Sequence, residues 1–106
     1  MALFVKRSAA NIIFGGNLPS DENASDKNIL ACRTEIEGII ASSGDSVQID
    51  LAQLQGASST LLSLMLCLIR YSRKRKCELM FVNMPQGLFN VARVGGVESF
   101  FPRLNH

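Results

Sequence analysis

Hydrophobic positions along this chain switch between two periods, and the switches mark out its elements. From Ser46 to Leu51, apolar Val47, Ile49 and Leu51 alternate with Ser46, Gln48 and Asp50. That is the period of two of a strand with one face in a core. Gln55 to Thr60 is small, polar and flexible, and from Leu61 to Ile69 every residue except Ser63 and Cys67 is aliphatic or Met. This predicts a strand, a tight turn, and a long apolar helix that runs into Arg70, Arg73, Lys74, Arg75 and Lys76. Ser58 or Ser59 is the natural N-cap, because a hydroxyl there accepts from a free N–H of the first turn. The hydroxyl cluster thus stands at the positive end of the helix dipole.

The remaining elements follow from the same rules. Leu3 to Val5 reads as an edge strand, and Ile12-Ile13-Phe14 as a short strand closed by Gly15-Gly16. Leu18 to Ser25 reads as a loop; from Asp26 the spacing of Ile29, Cys32, Ile36, Ile39 and Ile40 becomes helical. Ser25 or Asp26 caps that helix and Ser42-Ser43-Gly44 ends it. Cys77 to Val82 is a strand whose unbroken centre, Leu79-Met80-Phe81-Val82, predicts burial on both faces in mid-sheet. Asn83-Met84-Pro85 opens a last helix with Leu88, Phe89, Val91 and Ala92 on its apolar side, stopped by a left-handed Gly95-Gly96. Phe100-Phe101-Pro102 is a final apolar segment that must bury, before a frayed tail at 103–106. This order predicts an α/β fold, a mixed central β-sheet with helices packed against it and right-handed parallel crossovers. No repeat, low-complexity run or boundary divides the chain, so residues 1–106 read as a single domain with residues 1–10 as an N-terminal strand or arm.

Composition narrows the class. Among 106 residues, 47% are hydrophobic and 19% charged, which is globular and not disordered. A formal charge of +2 is too mild to imply nucleic acid. Cys32, Cys67 and Cys77 have no C-x-x-C spacing and read as reduced packing residues of a cytosolic protein. The opening apolar stretch is too short for a signal peptide and the long helix too short for a membrane span, so a soluble protein that stays where it is made is expected. The sole histidine is His106, no Gly-rich phosphate loop leads from a strand into a helix, and Asp50, Glu78 and Glu98 are scattered. An enzyme, a cofactor or a metal centre is therefore not expected.

Several short motifs in this order resemble the STAS domain, the small α/β module shared by sulfate transporters and anti-sigma factor antagonists. The residues are Gly16-Asn17-Leu18 after an early strand, Asp50-Leu51 at the end of the next, and Ser59 opening the long helix; the resemblance spans roughly residues 11–102. Met84-Pro85, Leu88, Ala92-Arg93-Val94, Gly96-Val97-Glu98 and Phe101-Pro102 look most like the stand-alone STAS subunit of the Mla phospholipid ABC transporter. The resemblance implies a SpoIIAA-like STAS fold and a non-enzymatic cytoplasmic subunit, peripheral to the inner membrane through its complex. Its partner would be the transporter's ATPase subunit, and its task would serve outer-membrane lipid asymmetry. In the antagonists the residue matching Ser59 is phosphorylated, which makes a phosphorylation-gated anti-sigma factor antagonist the alternative. Here Ser58 and Leu61 stand where that family commonly has an acid and a glycine, which counts against the switch and leaves Ser59 as a contact residue.

Helical projection sharpens the candidate surface. Leu61, Leu64, Met65, Leu68 and Tyr71 face the sheet; Thr60, Ser63, Cys67, Arg70 and Lys74 form a polar stripe. Leu62, Leu66 and Ile69 widen the apolar arc beyond what one sheet face needs. Together with the resemblance, this makes Ser58, Ser59, Thr60, Leu62, Ser63 and Leu66 the expected partner-binding residues; Ser59 would be the phosphorylation site on the antagonist alternative. The basic run from Arg70 to Lys76 complements the dipole and solubilises the helix end, contact with an acidic partner or anionic headgroups being the alternative. Replacing Arg73, Lys74 and Arg75 with Gln should leave stability and partner binding nearly unchanged. Slower association that loses its salt dependence would instead place an acidic surface against them.

Overall fold

The computed structural model describes residues 2–8, 11–56 and 58–96. Strands β1 (Phe4–Ser8), β2 (Asn11–Gly15), β3 (Ser46–Asp50) and β4 (Glu78–Val82) form a sheet in the order β1-β2-β3-β4. β1 runs antiparallel to β2, while β2, β3 and β4 are mutually parallel, so the sheet is mixed as expected. Helices α1 (Glu22–Ser43), α2 (Ser59–Lys74) and α3 (Gln86–Val94) complete the order.

The sheet advances in one direction, β2 to β3 to β4, through two parallel crossovers, a connection that is right-handed almost without exception. Crossovers of one hand stepping one way must lay their helices on the same face. α1 and α2 do pack side by side over the sheet, and α3 packs against α2. Register shows how the strands answer this. Ile12, Ile49 and Phe81 stand in line on the covered face, beside Phe14, Val47 and Leu79, and all six are buried. The other face carries Asn11, Gln48 and Met80 in one row and Ile13, Asp50 and Val82 in the next, none of them fully buried.

That arrangement corrects the reading of β4. Among the described residues it ends the sheet instead of lying in its middle, and Val82 is only half-buried. Its unbroken apolar run marks one face packed on helices and a second face still largely apolar, not two covered faces. Phe100-Phe101-Pro102 and the tail at 103–106 lie outside the described residues.

Helix ends obey local chemistry with some shifts. α1 starts earlier than its apolar spacing suggests, because Asp21 and not Ser25 or Asp26 is the cap, its carboxylate accepting from the Asn23 N–H at 3.1 Å. The first turn, Glu22 to Ser25, has no apolar residue larger than Ala24, so no hydrophobic period announces it. Gly44 ends α1 with φ of 86°, a conformation glycine adopts without a Cβ clash. After α3 the left-handed residue is Gly96, while Gly95 keeps a right-handed backbone and donates to the Val91 carbonyl. Cys32 and Cys77 are buried, and burial raises both thiols above their ordinary pKa, helped by Glu35 for the first and Asp45 and Glu78 for the second. Cys67 is half-exposed, and all three thiols are free.

Phe81 is fully buried at the centre of the covered face, so Phe81→Ala should cost about 3–5 kcal/mol in a urea melt. Val82→Ala, on the opposite face, should cost no more than about 1 kcal/mol. Equal losses at the two positions would mean that the open face is packed as tightly as the covered one.

Candidate partner interface

Because β2, β3 and β4 are parallel, the segments that leave them all emerge at one edge of the sheet, and each leads into a helix N-terminus. The three motifs that were scattered in sequence meet there. The Gly16 N–H donates to the Gln53 carbonyl at 3.0 Å, and the Gln55 N–H donates back to the Gly16 carbonyl at 2.9 Å. The Asn17 side-chain amide adds a bond to Gln55 Oε1 at 2.8 Å. Only glycine serves at position 16: φ is 93°, and a Cβ would collide with the Ala2 carbonyl. A shallow cavity of about 290 Å³, lined by Phe4, Gly16, Asn17, Gln53 and Gln55, opens beside this double loop.

Asp50 has a structural use that its sequence context did not reveal. Its carboxylate accepts from the Ala52 N–H at 2.9 Å and from the Asn83 side-chain amide at 3.1 Å. The second bond ties the ends of β3 and β4 together. Asn83 reaches it from a left-handed backbone, φ 57°, which asparagine tolerates better than most residues. At the same edge, where Leu3 lies beside Gly16, Asn28 of α1 clamps the chain at Leu3, accepting from its N–H at 2.9 Å and donating to its carbonyl at 3.1 Å. Neither asparagine announces itself by spacing; only a strand-end Asn before Met-Pro hinted at the first.

Ser58 caps α2: its Oγ accepts from the Leu61 N–H at 3.1 Å. Ser59 is therefore the first helical residue, and its side chain is exposed, as are those of Thr60 and Ser63. Leu66, one turn further along, is half-buried. Ser59, Ser63 and Leu66 follow one another at helical spacing, so they share a stripe that reaches solvent. Leu62 does not belong to it. At 6% exposure it is part of the core, and Ile69 is buried with it. α1 on one side and α3 on the other flank α2, so an apolar arc wider than the sheet requires is covered within the domain. Ser72 is buried too, its hydroxyl satisfied by the Ile69 carbonyl at 2.8 Å.

What the edge offers is hydroxyl and amide groups at helix N-termini with apolar flanks, a surface suited to protein contact. Among the described residues, no three His, Cys, Asp or Glu side chains converge to hold a metal ion. No helix among them is long and apolar enough to cross a membrane.

No family model and no curated protein matches this chain. Solved structures do. The anti-sigma factor antagonist SpoIIAA in its unphosphorylated form superposes with a TM-score of 0.68 at 14% identity, covering 99% of this chain and 88% of that one. A chain of the Acinetobacter MlaFEDB complex in an ATP-bound conformation gives 0.68 at 18% identity, covering 98% of this chain and 99% of that one. The phosphorylated form of SpoIIAA, a Bacillus cell fate determinant, gives 0.63 at 14% identity, with 99% and 91% covered. The chain has the STAS fold. Among the described residues, its three helices on a mixed four-stranded sheet are similar both to SpoIIAA and to the MlaFEDB chain.

Ser58→Ala should lower stability by about 1 kcal/mol, the usual worth of an N-cap, whereas Ser59→Ala should change it by less than about 0.5 kcal/mol. Thermal melts of the two variants check this assignment; the reverse order would make Ser59 the cap.

Proposed function

We propose that this chain is a non-enzymatic STAS subunit that binds the ATPase of an ABC transporter for phospholipid, in the cytoplasm at the inner membrane, and supports its active assembly. The observation that carries the reading is the end-to-end match with the Acinetobacter MlaFEDB chain, 98% of one against 99% of the other. SpoIIAA, by contrast, extends beyond the match, with 88% covered. The sequence at the start of α2 supports the same choice, since Ser58 serves as a cap and Leu61 is a core residue where the phospho-switch family commonly has its acid and glycine. The contact surface is the exposed hydroxyl edge, Ser59, Thr60 and Ser63 with Leu66, around the cap Ser58. Support for an ATPase requires unequal affinity for two of its states, because a subunit that binds both equally shifts nothing.

One observation favours a second reading. SpoIIAA matches in its phosphorylated as well as its unphosphorylated form, and Ser59 is exposed at a helix start, where a phosphate would sit without strain. On that reading the chain is an anti-sigma factor antagonist gated at Ser59.

A charge added at Ser59 separates surface from cap. In the free protein Ser59→Asp gains about 0.3–1 kcal/mol from the helix dipole, so its melting temperature should hold or rise slightly. Buried in an interface, the same carboxylate must shed water at a cost of several kcal/mol unless a cation faces it. Titration of Ser59→Asp against the purified ATPase subunit should show binding weakened by at least about tenfold, with Ser59→Ala close to wild type. Normal binding by Ser59→Asp would move the interface elsewhere. Co-purification with an anti-sigma kinase, and phosphate on Ser59 by mass spectrometry, would establish the second reading instead.

A further inference from the structure

Beyond the hydroxyl edge, the seam between α1 and α2 is open. Its upper part is a groove of about 260 Å³ lined by Asp26, Ile29, Leu30, Arg33, Thr60, Ser63, Leu64 and Cys67. It continues into a second hollow of about 170 Å³ that shares Arg33 and Cys67 and adds Glu37, Arg70, Tyr71 and Lys74. The two helices run the same way, so the hollows form one trough from Thr60 to Lys74, about 21 Å long at 1.5 Å per residue. Ile29, Leu64, Cys67 and Tyr71 give it an apolar floor. Leu30 stands on its flank at 62% exposure, one of only two large hydrophobic residues so exposed among those described.

Charge is unevenly spread along the trough. Asp26 lies at the upper end, with Arg33, Arg70 and Lys74 lower down. Glu37 is held by Arg33 at 3.0 Å, which leaves Arg70 and Lys74 with no carboxylate partner among the described residues. The trough therefore has an apolar bed and a positive lower half.

We infer that this trough is a docking groove for an amphipathic helix of a protein partner, with acidic residues clustered at the end that meets Arg70 and Lys74, in place of the merely solubilising role that the sequence suggested for this basic run. Two adjacent parallel helices present a ridged valley that a third helix fills with side chains at i, i+3, i+4 and i+7. Leu30 is a ridge to pack against, not the wall of a closed tube. The shallow, open form suits a helix better than an acyl chain, which would remain half in water. Complementary charge fixes the direction of the docked helix and speeds its arrival. The groove begins where the proposed partner edge ends, at Thr60 and Ser63, and does not depend on which protein that edge meets.

Cys67 is a built-in reporter, since it lies in the trough and is half-exposed while Cys32 and Cys77 are buried. A library of roughly 16-residue helices, randomised along one face, is selected against the full chain, at a length matched to the trough. Binders should carry Leu, Ile or Met at i, i+3 or i+4, and i+7, with Asp or Glu gathered at one end. They should slow alkylation of Cys67 by N-ethylmaleimide at least about fivefold, and Leu30→Glu or Arg70→Glu should weaken them about tenfold, the loss expected of a central anchor or a desolvated charge. Both variants change exposed helix positions, and their melts should match wild type. Three results would overturn the inference: no binder tighter than about 100 μM, binders rich in Lys or Arg, or binders indifferent to both substitutions. Protection of Cys67 by phosphatidylglycerol vesicles but by no selected helix would do the same, and would make the trough a lipid site.

Discussion

Parallel crossovers are right-handed almost without exception, and the rest of the domain follows from that constraint. Stepping from β2 to β3 to β4 with one hand leaves no choice about where α1 and α2 lie: side by side, on one face. The six strand residues that look at them, Ile12, Phe14, Val47, Ile49, Leu79 and Phe81, form the floor of the only layer junction in the described part of the chain. A domain of this size has no second core to fall back on, which is why a single aromatic at its centre matters so much to its stability.

The same geometry builds the proposed partner edge. Parallel strands deliver all their exits to one end, and each exit starts a helix. The loops there do not hang free: Gly16 and Gln53 exchange backbone bonds through their neighbours, Asn17 grips Gln55, and Asp50 grips Asn83. The hydroxyls of Ser59, Thr60 and Ser63 thus project from a braced platform, and a surface held in one arrangement loses less entropy when a partner docks. α2 then carries its polar and basic side chains away from that platform along the seam with α1. Its two ends are chemically distinct, neutral hydroxyls at one and cations at the other.

Much of this could be read from residue spacing. Alternation in Ser46–Leu51 and the three-and-four spacing from Ile29 to Ile40 gave the strand and helix that the structure contains, because each repeat is a direct projection of which side faces the core. The hydroxyl start of α2 was legible for the same local reason: a serine side chain caps its own helix, and nothing distant is needed. Motif order carried the STAS fold even though no solved relative named above exceeds 18% identity.

Other features exist only once the chain is folded. An apolar run such as Leu79–Val82 reads alike whether its second face is covered or open, and only the sheet order tells them apart. Leu62 looked surplus to a single sheet face, yet helices from either side of the sequence flank α2, and it lies in the core. Asp50 seemed alone because its partner, Asn83, is thirty-three residues away. Local pattern fixes which side of a segment is apolar, since that depends only on the repeat of the backbone. Which neighbour meets that side, and which stretch of it stays in water, depends on long-range packing that no local window contains.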